Sequence, residues 1–167
     1  MKRTLIGGII IGLVIGMFLT GLFLKISAQN MLFKQVSSPY SFEKTVNLIT
    51  KRISNTPGWH VVTVINQEEE IKKYDGKDVG KVKIIKFCNA KYASEMLSDD
   101  NTKFMAVKMP LSIAVYETSN GEVKISLMNG YLLTRMLSGT KEAKIMEKVV
   151  RDIQTILGFL HFKYSIF

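Results

Sequence analysis

The residues able to do chemistry are few, and they cluster around one cysteine. Cys88 is the single thiol of the chain, so no intrachain disulfide can form. It is the candidate nucleophile or soft ligand. Nucleophilic catalysis needs a base within hydrogen-bond reach, and His60 and His161 are the imidazoles available to supply one. Against this stands the plainer reading of Cys88 as a small apolar residue beside a helix start. Met96, Met105, Met109, Met128 and Met136 lie around the central segments. Thioethers with one thiolate suit Cu(I), whereas methionines also fill cores. Heme with Cys88, Met109 or a histidine as axial ligand would come without a C-x-x-C-H attachment motif.

Tyr116, Glu117 and Asn129 are polar residues set among apolar neighbours. Buried polar groups need partners, so these either line a pocket or satisfy one another and nearby backbone. With Cys88, Asn89 and Met109 they make up the candidate ligand-binding set. The acidic groups Asp99-Asp100 and Glu68-Glu69-Glu70 lack apolar surroundings that would raise a carboxyl pKa, and read as solvated loops. No phosphate-cradling glycine loop is present in the sequence, and no catalytic residue, metal ligand or cofactor is assigned.

These residues must be positioned by a domain whose size is set by what precedes it. Thr4 to Leu24 is an uncharged apolar run. At 1.5 Å per residue it would reach about 30 Å, the thickness of a hydrocarbon core. A cleaved signal peptide is the rival reading. Its apolar part is shorter, roughly 7–15 residues, and ends in small residues, whereas Ile26-Ser27-Ala28 offers a bulky Ile. The expectation is a transmembrane anchor over 1–25.

Lys2 and Arg3 favour a cytoplasmic N-terminus, while Lys25 and Lys34 weaken that bias. The expected location is the inner membrane, single-pass, with the domain in the periplasm or outside the cell. Gly8, Gly12, Gly16 and Thr20 recur every four residues and share one helix face. Small residues at that spacing allow a second helix to approach closely. The expected partners are membrane lipid and either a membrane protein or a second copy of the chain.

The connector and a possible first strand occupy 26–40, an α+β domain 41–162, and a tail 163–167. The remaining roughly 130 residues make about one ordinary domain. The net charge is +9, of which Lys2, Arg3 and Lys25 carry three, leaving about +6 on the rest. That charge is interspersed with Glu and Asp, and no basic stripe for nucleic acid emerges.

Within the domain, Leu32 to Ser37 reads as a short strand. Ser41 is a helix cap, and Phe42, Val46, Ile49 and Ile53 follow at helical spacing. Trp59 to Asn66 is rich in valine and isoleucine and reads as a strand. Gln67 to Tyr74 allows a helical turn. Lys81 to Cys88 is a further strand whose Ile84-Ile85 pair breaks alternation and leaves the direction of Cys88 open. Ala90 to Leu97 is a short helix capped by Asn89.

Leu111 to Thr118 and Glu122 to Met128 flank Ser119-Asn120-Gly121, a strong hairpin signal. Val123, Ile125 and Leu127 alternate with Glu122, Lys124 and Ser126, so one face is buried and one wet. A short helix near Gly130 to Leu137 precedes a long one capped by Thr140, with its apolar stripe from Met146 to Leu160. The fold class is α+β: an antiparallel sheet covered on one face by helices, plus one N-terminal transmembrane helix.

Gly58-Trp59, Phe87-Cys88-Asn89, Met109-Pro110, Val115-Tyr116-Glu117, Gly121 and Asn129 stand in an order that resembles one prokaryotic family. It is the domain of unknown function numbered three hundred and two, and the likeness runs over roughly Ser41 to Leu157. The resemblance implies helices packed on an antiparallel sheet, with no settled activity, substrate or cofactor. Many relatives have proline where Ala90 stands and a second cysteine where Leu111 stands, so a two-cysteine mechanism does not carry over.

Two functions are expected from these features. One is a non-catalytic accessory or assembly subunit docked on a larger membrane complex, for example a respiratory one. The other is a tethered ligand-binding or redox protein using Cys88 and nearby methionines for a metal, heme or sulfur ligand.

Overall fold

A computed structural model describes the backbone of residues 2–164, and the side chains of these except 2–6, 10 and 22–30. The chain runs α1 (Lys2–Leu32), β1 (Phe33–Ser38), α2 (Phe42–Ser54), β2 (Trp59–Asn66), α3 (Gln67–Lys73), β3 (Val82–Asn89), α4 (Ala90–Leu97), a 3₁₀ turn (Lys103–Lys108), β4 (Leu111–Glu117), β5 (Val123–Met128), α5 (Gly130–Met136) and α6 (Lys141–Ile156). The five strands form one antiparallel sheet in the order β1-β5-β4-β3-β2.

One face of that sheet is covered, as the alternation requires. Ile85, Phe87, Ile113, Val115, Ile125 and Leu127 point from the central strands into a cluster with Phe42, Val46, Ile49 and Ile53 of α2 and Val149, Ile153 and Ile156 of α6. Both helices carry their apolar residues at three- and four-residue spacing, which puts them on one stripe facing the sheet. A smaller cluster of Met96, Met105, Ile145 and Met146 fills the space between α4, the 3₁₀ turn and α6.

The hairpin loop closes with Thr118 N donating to Glu122 O at 2.9 Å, and positive φ is confined to Gly121, at 81°. It is therefore a three-residue loop with glycine at its left-handed position, not the two-residue turn with positive φ at both Asn120 and Gly121.

The transmembrane part of the expected architecture is corrected. Residues 2–32 form a helix, yet among the described residues no helix is long and apolar enough to cross a membrane. The single-pass inner-membrane location, with its periplasmic or external domain, loses its basis. So does partnership with lipid, or with another membrane helix or a second copy, through Gly8, Gly12, Gly16 and Thr20. A Cβ added at Gly8, Gly12 or Gly16 would meet nothing within 4 Å, so that face packs on no described part of the chain. The flanking charges Lys2, Arg3 and Lys25 have side chains outside the described residues. The helix also continues through Leu32, into the stretch 26–40 where a connector and a possible first strand were expected.

Candidate functional site

The register settles which way Cys88 lies. Burial in β3 alternates strictly from Ile84 onward, with Ile85, Phe87 and Asn89 buried and Ile84, Lys86 and Cys88 half-buried on the uncovered face. His60 is the residue directly opposite Cys88 across the β2–β3 ladder, an adjacency the sequence left invisible. No hydrogen bond joins the two among the described residues. Burial pushes the Cys88 thiol up, partly offset by a hydrogen bond with the Asn89 backbone. The thiolate, which is the reactive form, is thereby disfavoured.

Of the expected site residues, Cys88, Asn89 and Met109 come together, whereas Tyr116, Glu117 and Asn129 lie apart from them. Asn89 is buried and caps α4, its Oδ1 accepting from Tyr92 N at 3.2 Å. Cys88, Asn89 and Met109 border a void of about 40 Å³ beside Trp59 and Met96, too small for an organic ligand. Tyr116 and Glu117 lie toward the opposite end of the sheet. The Tyr116 hydroxyl donates to Gln35 Oε1 at 3.2 Å, and Glu117 pairs with Lys81 at 3.0 Å. Asn129 is fully buried. Its Nδ2 donates to Met31 O at 2.8 Å and its backbone N to Leu32 O at 2.8 Å, so it ties the last carbonyls of α1 to the end of β5. Met105 and Met96 are core, whereas Met128 sits on the open face and Met136 is exposed.

A concavity with room for a ligand adjoins the void beside Cys88, sharing Met109. A cleft of about 460 Å³ opens where β4 begins and β5 ends. It falls within the size range of small-molecule sites, roughly 300–1,000 Å³. Its floor is the uncovered sheet face, where Ser112, Ala114 and Ser126 are small side chains at adjacent positions. Ile84 and Lys86 flank that floor on the β3 side, Met128 and Phe33 on the β1 side. Val107, Lys108, Met109 and Pro110 form a wall from the 3₁₀ turn, the Met109–Pro110 bond being cis. Residues of the covered face and of α6, among them Phe87, Leu127, Met146 and Val150, also line it, so the cleft passes around the strand ends into the interior.

At its inner side stands Tyr164, stacked edge-on against Phe162 at 4.8 Å. Burial pushes the Tyr164 phenol well above its usual value. Gly130 lets α5 approach α6 there: a Cβ would lie 3.0 Å from Val150 Cγ2.

The polar groups of the cleft are of one charge. Lys86 and Lys108 line it and no Asp or Glu does. Lys86 Nζ donates to Ser112 Oγ at 2.7 Å, and neither lysine has a carboxylate partner among the described residues. Lys86, Lys108, Ser112, Ser126 and Tyr164 were missed from the sequence. The one available signal was the wet-face alternation of Ser126 in β5; the pairing of Lys86 with Ser112 needs the register.

Comparison with known proteins gives a family and a fold. A family model described as Domain of unknown function DUF302 matches residues 34–160. Among solved structures the chain is similar to the crystal structure of an uncharacterized conserved protein DUF302 from Bacillus stearothermophilus. The identity is 17%, the TM-score 0.66, and the match covers 78% of this chain and 98% of that one. At that identity the likeness concerns the fold. No curated protein matches this chain.

Proposed function

This chain belongs to the family described as Domain of unknown function DUF302, and we propose that it acts as a non-catalytic binding module for a small, largely apolar molecule held in the cleft at the ends of β4 and β5. The observation that carries the reading is the cleft itself. About 460 Å³ of space is bounded mainly by aliphatic, aromatic and methionine side chains, with a few polar groups at fixed positions. Its small-residue floor lies on the half-exposed sheet face, opposite the one packed against α2 and α6.

Burial favours the protonated form of Cys88, which disfavours a thiolate ligand or nucleophile at that place. The ligand-binding function expected around Cys88 thereby moves to a neighbouring place. The void beside Cys88 is an order of magnitude smaller than the cleft. Docking on a larger complex draws no support from the geometry of this site.

The test uses the neutral fluorescent probe N-phenyl-1-naphthylamine. Saturable enhancement at one probe per chain is expected. Ala114→Trp and Ser126→Trp, each placing an indole on the open floor, are expected to abolish it while leaving the melting transition cooperative. No saturable binding, or binding unchanged in both folded variants, rejects the reading.

A further inference from the structure

We propose that the molecule bound in this cleft is an amphiphile with a carboxylate head, the head seated at Lys86 and the apolar body laid across the strands toward Phe33. The inference rests on the binding reading above and adds the chemical class of ligand.

The register supplies the geometry. Lys86 is opposite Ser112 across β3 and β4. Ile113 is opposite Leu127, which puts Ser112 beside Met128, and Met128 is opposite Phe33. One row thus crosses four strands from a cation to an aromatic ring. At about 4.8 Å per strand it spans roughly 14 Å. Its charged end is fixed, because Ser112 Oγ accepts from Lys86 Nζ at 2.7 Å. An ammonium has three donors, so two remain for an incoming anion. Its other end is apolar and open, with Met128 and Phe33 39% and 46% exposed.

Charge complementarity selects the head. The cleft lining holds two lysines and no acid. Lysine offers a compact point charge with rotatable donors, which attracts a small anionic group such as a carboxylate without requiring a two-point geometry. Lys86 is half-buried, so its attraction is screened less than that of a fully solvated lysine. Lys108 stands exposed at the rim, where a charge contributes less.

The experiment displaces N-phenyl-1-naphthylamine with decanoate and, separately, with 1-decanol, its uncharged twin. Decanoate is expected to displace the probe at about tenfold lower concentration than decanol, the ordinary worth of one charged hydrogen bond on a half-buried site. Added salt should narrow that gap. Lys86→Met keeps the aliphatic stem and should bring the two ligands level, with decanol unaffected. Lys108→Met should keep most of the preference. Lys86→Gln serves as a second variant, and melting curves report folding of both.

Equal displacement by decanol and decanoate in the unaltered protein overturns the carboxylate assignment. Preference retained in folded Lys86→Met and Lys86→Gln overturns the place of the head. Neither result touches the binding reading, which fails separately if the neutral probe does not bind.

Discussion

The indole Nε1 of Trp59 donates to Asp152 Oδ2 at 2.9 Å, joining the first residue of β2 to the C-terminal half of α6. The same ring lies 5.4 Å from Phe87 and 6.1 Å, edge-on, from Tyr92. The sheet, α4 and α6 meet at this one side chain. Removing the acceptor strands a buried donor, so Asp152→Ala should cost about 1–2 kcal/mol, and Asp152→Asn, which keeps an oxygen, less. A double-mutant cycle with Trp59→Phe in urea denaturation should return a coupling of about 0.5–1.5 kcal/mol. Additivity would mean the bond contributes nothing.

Arg52 makes a second link to the same helix. Its Nε donates to Ile156 O at 2.6 Å and its Nη2 to Thr155 O at 2.9 Å, two carbonyls in the final turn of α6. Carbonyls of a helix's last turn have no donor four residues on, and a cation there is favoured by the negative end of the helix dipole. Arg52→Met should lower stability by about 1–2 kcal/mol. Arg52→Lys should recover less than half, because a point charge cannot span both carbonyls as the guanidinium fork does. Full recovery by lysine would show that charge alone matters.

Asn89 and Gly58 are one unit. Gly58 has φ of 80°, and a Cβ there would lie 2.9 Å from Asn89 Nδ2. Gly58→Ala therefore meets both backbone strain and a clash with the residue that caps α4, and should cost about 1–3 kcal/mol. Asn89→Ala should cost about 1 kcal/mol as a lost cap, with Asn89→Asp close to the unaltered protein. Thermal denaturation of the three variants checks the order.

Tyr164 sets an alkaline limit. Its phenol is raised by burial, so the folded state holds that proton after the unfolded state has released it. Its contribution is intact below the unfolded value, about 10. As pH rises above that value, the unfolded state binds fewer protons and stability falls. Tyr164→Phe should flatten the decline between about pH 9 and pH 11, measured as the difference between the two proteins in urea denaturation. Parallel curves would refute it.

Cys88 should be a slow thiol. Its raised pKa predicts that alkylation by iodoacetamide stays well below the rate of a free cysteine at neutral pH and climbs at higher pH than free cysteine does. Cys88→Ser should leave probe binding in the cleft unchanged. A neutral-pH rate above that of free cysteine would reopen a nucleophilic role.

Much of the local structure was legible because it is written in short-range periodicity. β2 and α4 occupy the residues their patterns assign, Trp59–Asn66 and Ala90–Leu97. Thr140 caps the last helix, its Oγ1 accepting from Ala143 N at 3.2 Å. The 3₁₀ turn at Lys103–Lys108, which walls the cleft, was not foreseen, because its KFMAVK run carries no helical or strand period. Polarity alone left Tyr116 and Glu117 open between lining a pocket and satisfying one another or nearby backbone; the fold gives them Gln35 and Lys81 as side-chain partners at the far end of the sheet.

By itself the sequence determined the family, the α+β class and which side chains could occupy a wet or a dry face, since alternation and helical spacing are local properties of the chain. Tertiary structure alone decided that Lys86, Ser112, Met128 and Phe33 form one row and that His60 faces Cys88. The reason is physical. A strand specifies its own two faces, whereas its neighbour and register follow from packing all five strands under α2 and α6 at once.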